Sequence, residues 1–310
     1  MAQDLSIEYP DQVVFVTIRT IASRLWFVNN PKLVEKVLAF LAKYQERFGV
    51  TLYGFILMGN HYHLLARFPR GNRAAFLQAF NAVIACLTKW YVPAFKDGKL
   101  WGRRARVQVV PNPEDVLDRF LYLSLNPVGA GLCRKLAEFN GYDCHSDVFL
   151  KEGRSFSLVD WSDYRNRSRY NRKLKPKDCM KSYTLRYSRL PGMEKLATKA
   201  YYNELTARIE KRRQALIAER VKEDQGFAGK ELLLKTRPGT MPRHTKTSTR
   251  ESKRPLILTL CVKTREQFLK FYFSLVEAYR KASARFRRGL LNTKFPPGTY
   301  RPHLAVPCTP

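Results

Sequence analysis

The order in which strand and helix signals follow one another through the first 130 residues restricts the fold more than any other feature of this 310-residue chain. Residues 12–19 (QVVFVTIR) are β-branched and aromatic and predict a strand. Asn30 before Pro31 offers a cap and a first-turn proline. Leu33, Val37, Leu38, Leu41 and Tyr44 then recur at helical spacing across residues 32–48, until Gly49 stops the pattern. Residues 50–58 (VTLYGFILM) and 61–68 (HYHLLARF) predict two strands joined by a turn at Gly59 and Asn60. A second helix spans 74–91 and closes at Pro93, and residues 100–110 predict a fourth strand carrying several arginines. Pro113, with Glu114 and Asp115 in the first turn, opens a third helix that is expected to end near Asn126, because Pro127 follows. The resulting β-α-β-β-α-β-α order predicts an α+β, ferredoxin-like βαββαβ antiparallel sheet with an added helix. Such a sheet carries two helices on one face and leaves the other open for the extra helix or a ligand.

Charge divides the chain. Lys and Arg number 56 against 26 Asp and Glu, leaving +30 overall. Residues 1–150 carry only +6 of this, and residues 151–310 the remaining +24. A surface so positive calls for a polyanion, and no basic amphipathic stretch with a Trp-rich face points to a membrane instead. Residues 1–150 are therefore read as one domain and 151–310 as a basic, largely helical extension. Long helices are expected over 193–224 and 264–289, with a mobile Gly-, Pro-, Ser- and Lys-rich segment near 226–254. No run approaches eighteen apolar residues, and the N-terminus has acids where a secretory signal carries bases, so a cytoplasmic protein is expected. Six dispersed cysteines without a C-x-x-C pair read as free thiols, and the spacing of Cys133, Cys144 and His145 matches no common zinc pattern.

Two local patterns carry chemistry. Strand alternation puts His61 and His63 on one face and Tyr62 on the other, so two imidazoles stand side by side as half of a metal site, or as two histidines packed in a sheet. In the third helix, Val116, Leu117, Phe120 and Leu123 gather into one apolar stripe. Tyr122 lies away from it, beside Asp115, Asp118 and Arg119, with Asn126 one turn further on the same face.

Met58-Gly59-Asn60-His61-Tyr62-His63-Leu64-Leu65 resembles the His-hydrophobic-His (HUH) strand of single-tyrosine transposases. Residues 122–132 (YLSLNPVGAGL) resemble the tyrosine helix and following turn of their REP-associated branch, related to the insertion sequence 200/605 group. The likeness spans about residues 10–150. It implies that His61, His63 and Asn126 hold a divalent ion, Mg²⁺ or Mn²⁺, and that Tyr122 is the nucleophile. Members of this family cleave and rejoin single-stranded DNA through a 5′-phosphotyrosine, often beside a hairpin. This chain departs from the pattern at Tyr62, where an aliphatic residue is usual, and in its long basic extension.

The chemistry is coherent without the family name. A phenol is a poor nucleophile at neutral pH, and a divalent ion on the scissile phosphate eases attack by neutralising charge. Arg67 shares the His face of its strand, while Arg104 and Arg106 share a face of the fourth; these three are candidate DNA contacts. Tyr164, Arg165, Arg167, Arg169 and Tyr170 mix stacking and charge, as single-strand binders do, or form a solvated loop. Two other functions remain: an RNA- or DNA-binding ferredoxin-like module without catalysis, and a metal-dependent nuclease that uses water. The sequence leaves open whether a homodimer forms and exchanges the tyrosine helix.

Overall fold

The computed structural model describes residues 5–242 and 256–302. Strand β1 (Val13–Arg19) leads to helix α1 (Pro31–Phe48), then β2 (Thr51–Leu57), β3 (His61–Arg67), α2 (Arg73–Tyr91), β4 (Arg106–Val110) and α3 (Pro113–Ser124). The helix boundaries have local causes. Asn30 Oδ1 accepts from the Leu33 amide at 2.9 Å and opens α1. Gly49 closes it at φ +64°, a left-handed conformation that costs glycine nothing.

The strands stand in the order β4-β1-β3-β2, with every pair antiparallel, and a short β5 (Tyr142–Asp143) adds to the β2 edge. This is the ferredoxin-like arrangement. Alternation sorts the side chains as expected. Phe55 and Tyr62 face Phe80 of α2, with ring centroids 5.9 Å and 5.6 Å away. The opposite face receives α3. There a Cβ on Gly54 would lie 3.3 Å from Leu123 Cδ1 and Phe120 Cδ2, so the bare glycine lets the helix seat its apolar stripe against the sheet. Val116, Phe120 and Leu123 are buried in that seam.

The fourth strand is shorter than residues 100–110. Thr17 pairs with Arg106 but Thr20 with Trp101, so two extra residues leave the ladder between those pairs. Arg104 falls in this interruption rather than in the strand. The third helix ends at Ser124, and after Leu125 a short α4 (Asn126–Gly129) begins. Pro127 cannot donate to the Leu123 carbonyl, so the helix breaks and restarts around it.

Beyond residue 150 the chain opens with a small sheet that periodicity did not reveal. β6 (Arg154–Val159) and β7 (Met180–Leu185) pair antiparallel around α5 (Trp161–Ser168). Phe156, Leu158, Tyr183 and Leu185 belong to the same buried cluster as the main core. Gln45 of α1 accepts from the Arg186 amide and donates to its carbonyl, at 3.0 and 2.6 Å, which ties this sheet to the helix.

The long helix α6 (Thr198–Lys222) buries Tyr201, Leu205 and Ile209. Its Arg212 reaches Asp118 of α3 at 3.6 Å. A short α7 (Gly229–Lys235) lies within the stretch expected to be mobile, of which 243–254 lies outside the described residues. Residues 256–258 run beside β4, where Val109 donates to Leu256 O at 2.9 Å and accepts from Leu258 N at 2.8 Å. They cover backbone groups that an edge strand would otherwise expose. Helix α8 (Val262–Arg287) follows.

Candidate active site

His61 and His63 project from β3 on the face that receives α3, and both are nearly sealed from solvent, at 7% and 5% exposure. Their rings stand 4.8 Å apart between centroids, edge to face. The turn before them is held in place. Gly59 O accepts from Phe27 N and Asn60 O from Thr20 N, each at 2.9 Å. A Cβ on Gly59 would fall 2.8 Å from Val28, so the close approach requires glycine.

Hydrogen bonds set the histidine protons. Asn60 Nδ2 donates to Ser23 O at 2.8 Å, which turns Asn60 Oδ1 toward His61 Nδ1, 2.6 Å away. A carbonyl oxygen only accepts, so Nδ1 carries a proton, and in the neutral imidazole the lone pair is then on Nε2. His63 Nδ1 meets Thr17 Oγ1 at 2.7 Å across the β1–β3 ladder. When Nδ1 donates there, the Nε2 lone pair faces Asn126, whose amide nitrogen lies 3.3 Å away. Turning that amide over exchanges Nδ2 for Oδ1 without changing its shape.

Tyr122 stands over this group. Its ring centroid lies 5.6 Å from that of His63 and 5.9 Å from that of Phe15, which itself stacks on His63 at 5.0 Å. It is 42% exposed. Arg119 sits 5.3 Å from the same ring centroid and also pairs with Asp118. Tyr62, by contrast, is fully buried on the other face, donates to Asn81 Oδ1 at 2.7 Å, and has its phenol pushed far up by burial. The larger residue at this position is therefore absorbed by the core.

The structure thus brings His61, His63, Tyr122 and Asn126 together. The arginines are spread more widely. Arg106 lies in a cross-strand row with Thr17 and His63, two strands away, about 10 Å by strand spacing. Arg67 is on the His face but four residues along the strand from His63, about 13 Å by strand rise. It lines a cavity of about 680 Å³ near the start of α3. Thr17, Asn60 and Phe15 received no role from the sequence. For Thr17 the available signal was its place in β1, since an outer-face residue of one strand meets its counterpart in the next.

Two imidazoles and an amide suit a borderline divalent ion, and an amide oxygen adds the hard donor that Mn²⁺ or Mg²⁺ prefers. Among the described residues no group of three His, Cys, Asp or Glu side chains could hold a metal, so an ion here would depend on Asn126 and on substrate oxygens. No helix among the described residues is long and apolar enough to cross a membrane.

No protein-family model matches this sequence, and no curated protein matches it. Among solved structures, a REP-associated tyrosine transposase bound to a REP hairpin aligns with 48% of this chain and 86% of its own, at 15% identity and TM-score 0.39. A protein from Deinococcus radiodurans described provisionally as a transposase aligns with 38% and 93%, at 16% identity and TM-score 0.28. A bacterial tRNA(His) guanylyltransferase-like protein in complex with ATP aligns with 63% and 91%, at 11% identity and TM-score 0.30. Likenesses this distant decide nothing about activity.

Proposed function

We propose that this protein cleaves and rejoins single-stranded DNA, with Tyr122 as the nucleophile and His61, His63 and Asn126 as the seat of a divalent ion, Mn²⁺ or Mg²⁺. The observation that carries the reading is the convergence on His63: a tyrosine ring on one side, an amide on another, and a second imidazole whose Nε2 lone pair is set by Asn60. Metal-bound histidines commonly donate their other ring N–H to an oxygen, as His61 can to Asn60 and His63 to Thr17.

Tyr122 Oη would attack the scissile phosphorus as its proton leaves to solvent. The P–O3′ bond breaks, the 3′ oxygen takes up a proton, and the 5′ end stays on the tyrosine. A bound divalent ion would polarise the phosphate and neutralise its charge. Phe15 and Arg119 would hold the tyrosine ring in place, and Thr17 and Asn60 would hold the imidazoles. In the return step a 3′-OH attacks the phosphotyrosine, the P–Oη bond breaks, and the phenol is restored. The phosphate ester bond is conserved throughout, so no nucleotide cofactor is required.

The test is incubation of the full chain with end-labelled hairpin-bearing single strands and Mn²⁺. A denaturation-resistant adduct is expected, and it should vanish in Tyr122→Phe, which loses only a hydroxyl. Metal-dependent cleavage that survives Tyr122→Phe would identify a water-using nuclease. Tight binding with no cleavage under either ion would leave a binding module.

A further inference from the structure

The basic extension has a surface of its own that the tyrosine site does not use. Between residues 160 and 181 there are eight Lys or Arg and three acids. All three acids are engaged locally. Asp160 Oδ1 accepts from the Ser162 and Asp163 amides at 3.0 and 3.1 Å and caps α5. Asp163 pairs with Arg167 at 3.0 Å, and Asp178 accepts from the Lys175 amide at 2.8 Å. The remaining bases, Arg165, Arg169, Arg172 and Lys173 among them, are exposed.

Two large aromatic residues stand among them without a place in the core. Trp161 is 56% exposed and Tyr170 is 93% exposed. Trp161 and Arg165 share one face of α5, where Arg165 Nε donates to Trp161 O at 3.1 Å, and Arg169, four residues further, caps the end of the helix. The outer face of the β6–β7 sheet carries hydroxyls, with Ser155 and Thr184 3.1 Å apart and Ser157 and Ser182 3.4 Å apart. The inner face is anchored on α1 through Gln45, through Lys43 against the Tyr183 ring, and through the Lys181–Glu46 pair. Cationic groups and hydroxyls meet phosphates, and exposed aromatic faces stack on unpaired bases.

We infer that this lobe, residues 154–185, is a docking surface for single-stranded DNA, distinct from the tyrosine site. Helix α1, which carries the lobe, packs with α2, and α2 lies on the sheet face opposite His61 and His63. A strand held by the lobe therefore does not occupy the cleavage site by the same contact. The choice of DNA over RNA rests on the function proposed above. The single-strand character rests on Trp161 and Tyr170, because stacked duplex bases offer them no open face.

The experiment measures binding of the full chain to a labelled oligo-dT strand, a duplex of equal length, and an oligo-U strand. Trp161→Ala with Tyr170→Ala should weaken oligo-dT binding at least about thirtyfold, from the usual worth of two base stackings, and change duplex binding less than twofold. Both side chains are exposed, so the melting temperature should stay that of the parent. As a second readout, oligo-dT should quench part of the intrinsic fluorescence of the parent, and Trp161→Phe should lose that part. Unchanged oligo-dT affinity, or equal losses for duplex and single strand, would overturn the inference. Tighter binding of oligo-U than oligo-dT would overturn the choice of DNA. Failure of the parent to form an adduct would sink the cleavage reading and leave this binding result standing, since oligo-dT binding is measured without cleavage.

Discussion

Asn60 shows how much one side chain can decide. Its amide spans Ser23 O and His61 Nδ1, so it both pins the turn and selects which His61 nitrogen presents a lone pair. Asn60→Ala leaves a carbonyl and an N–H without these partners, with an expected loss of about 1–3 kcal/mol in stability. It should also weaken Mn²⁺ binding about ten- to a hundredfold, the usual cost of losing a group that orients a ligand, read by electron spin resonance of free Mn²⁺. Unchanged Mn²⁺ affinity would remove the ion from His61. The two tyrosines near the histidines make a sharper contrast. Tyr62→Phe loses a buried hydrogen bond to Asn81 and should cost about 1 kcal/mol in a denaturant melt while leaving adduct formation intact. Tyr122→Phe should do the reverse. Adduct formation that depended on Tyr62 would place the nucleophile on the wrong face of the sheet.

At the scale of elements, the position of Tyr122 depends on how closely α3 approaches β2. That approach is set at Gly54, where even a Cβ would press on Leu123 and Phe120 at 3.3 Å. Gly54→Val adds more bulk than the seam can hold, with an expected loss of about 1–3 kcal/mol. It should displace the tyrosine from His63 and sharply reduce adduct formation, although no catalytic group is altered. Leu123→Ala, added to Gly54→Val, returns space at the same spot and should restore part of the adduct yield. If Gly54→Val retained full adduct formation, the seating of α3 would not govern the tyrosine. The Arg212–Asp118 pair braces α3 from its other side, but partial exposure makes it a minor contributor.

For the whole molecule, the charge boundary near residue 150 does not mark the end of the packed core. Phe156, Leu158, Tyr183, Leu185, Tyr201, Leu205 and Ile209 lie in the same buried cluster as β1–β3 and α1. A fragment ending at residue 150 should therefore lack a sharp thermal transition, while the full chain melts with one dominant transition followed by circular dichroism. A cooperative melt of the fragment would show that the first 150 residues fold alone. Leu205 is fully buried, and Leu205→Ala should cost about 2–5 kcal/mol through the cavity it leaves. The extension is thus part of the scaffold as well as a reservoir of positive charge.

Much of the central sheet and the catalytic candidates could be read from sequence, because both follow from short-range rules. Period-two alternation separates His61 and His63 from Tyr62, helical periodicity separates Tyr122 from Phe120 and Leu123, and Asn30, Pro31 and Gly49 delimit α1. What escaped depends on partners distant in the chain. The β6–β7 pair reads as polar sequence because its inward-facing apolar residues are just Phe156, Leu158, Tyr183 and Leu185, with Arg154 and Lys181 on the same face, and α1 supplies the surface they need. The break in the fourth strand arises from pairing with β1 in two registers. Local sequence determined which face each candidate side chain occupies. Only the tertiary structure decided that β1 contributes Thr17 and Phe15, that Asn126 reaches His63, and that Arg67 stands at the far end of the sheet. Those meetings are set by strand order and by the depth at which α3 packs, and neither is encoded within a single turn or strand.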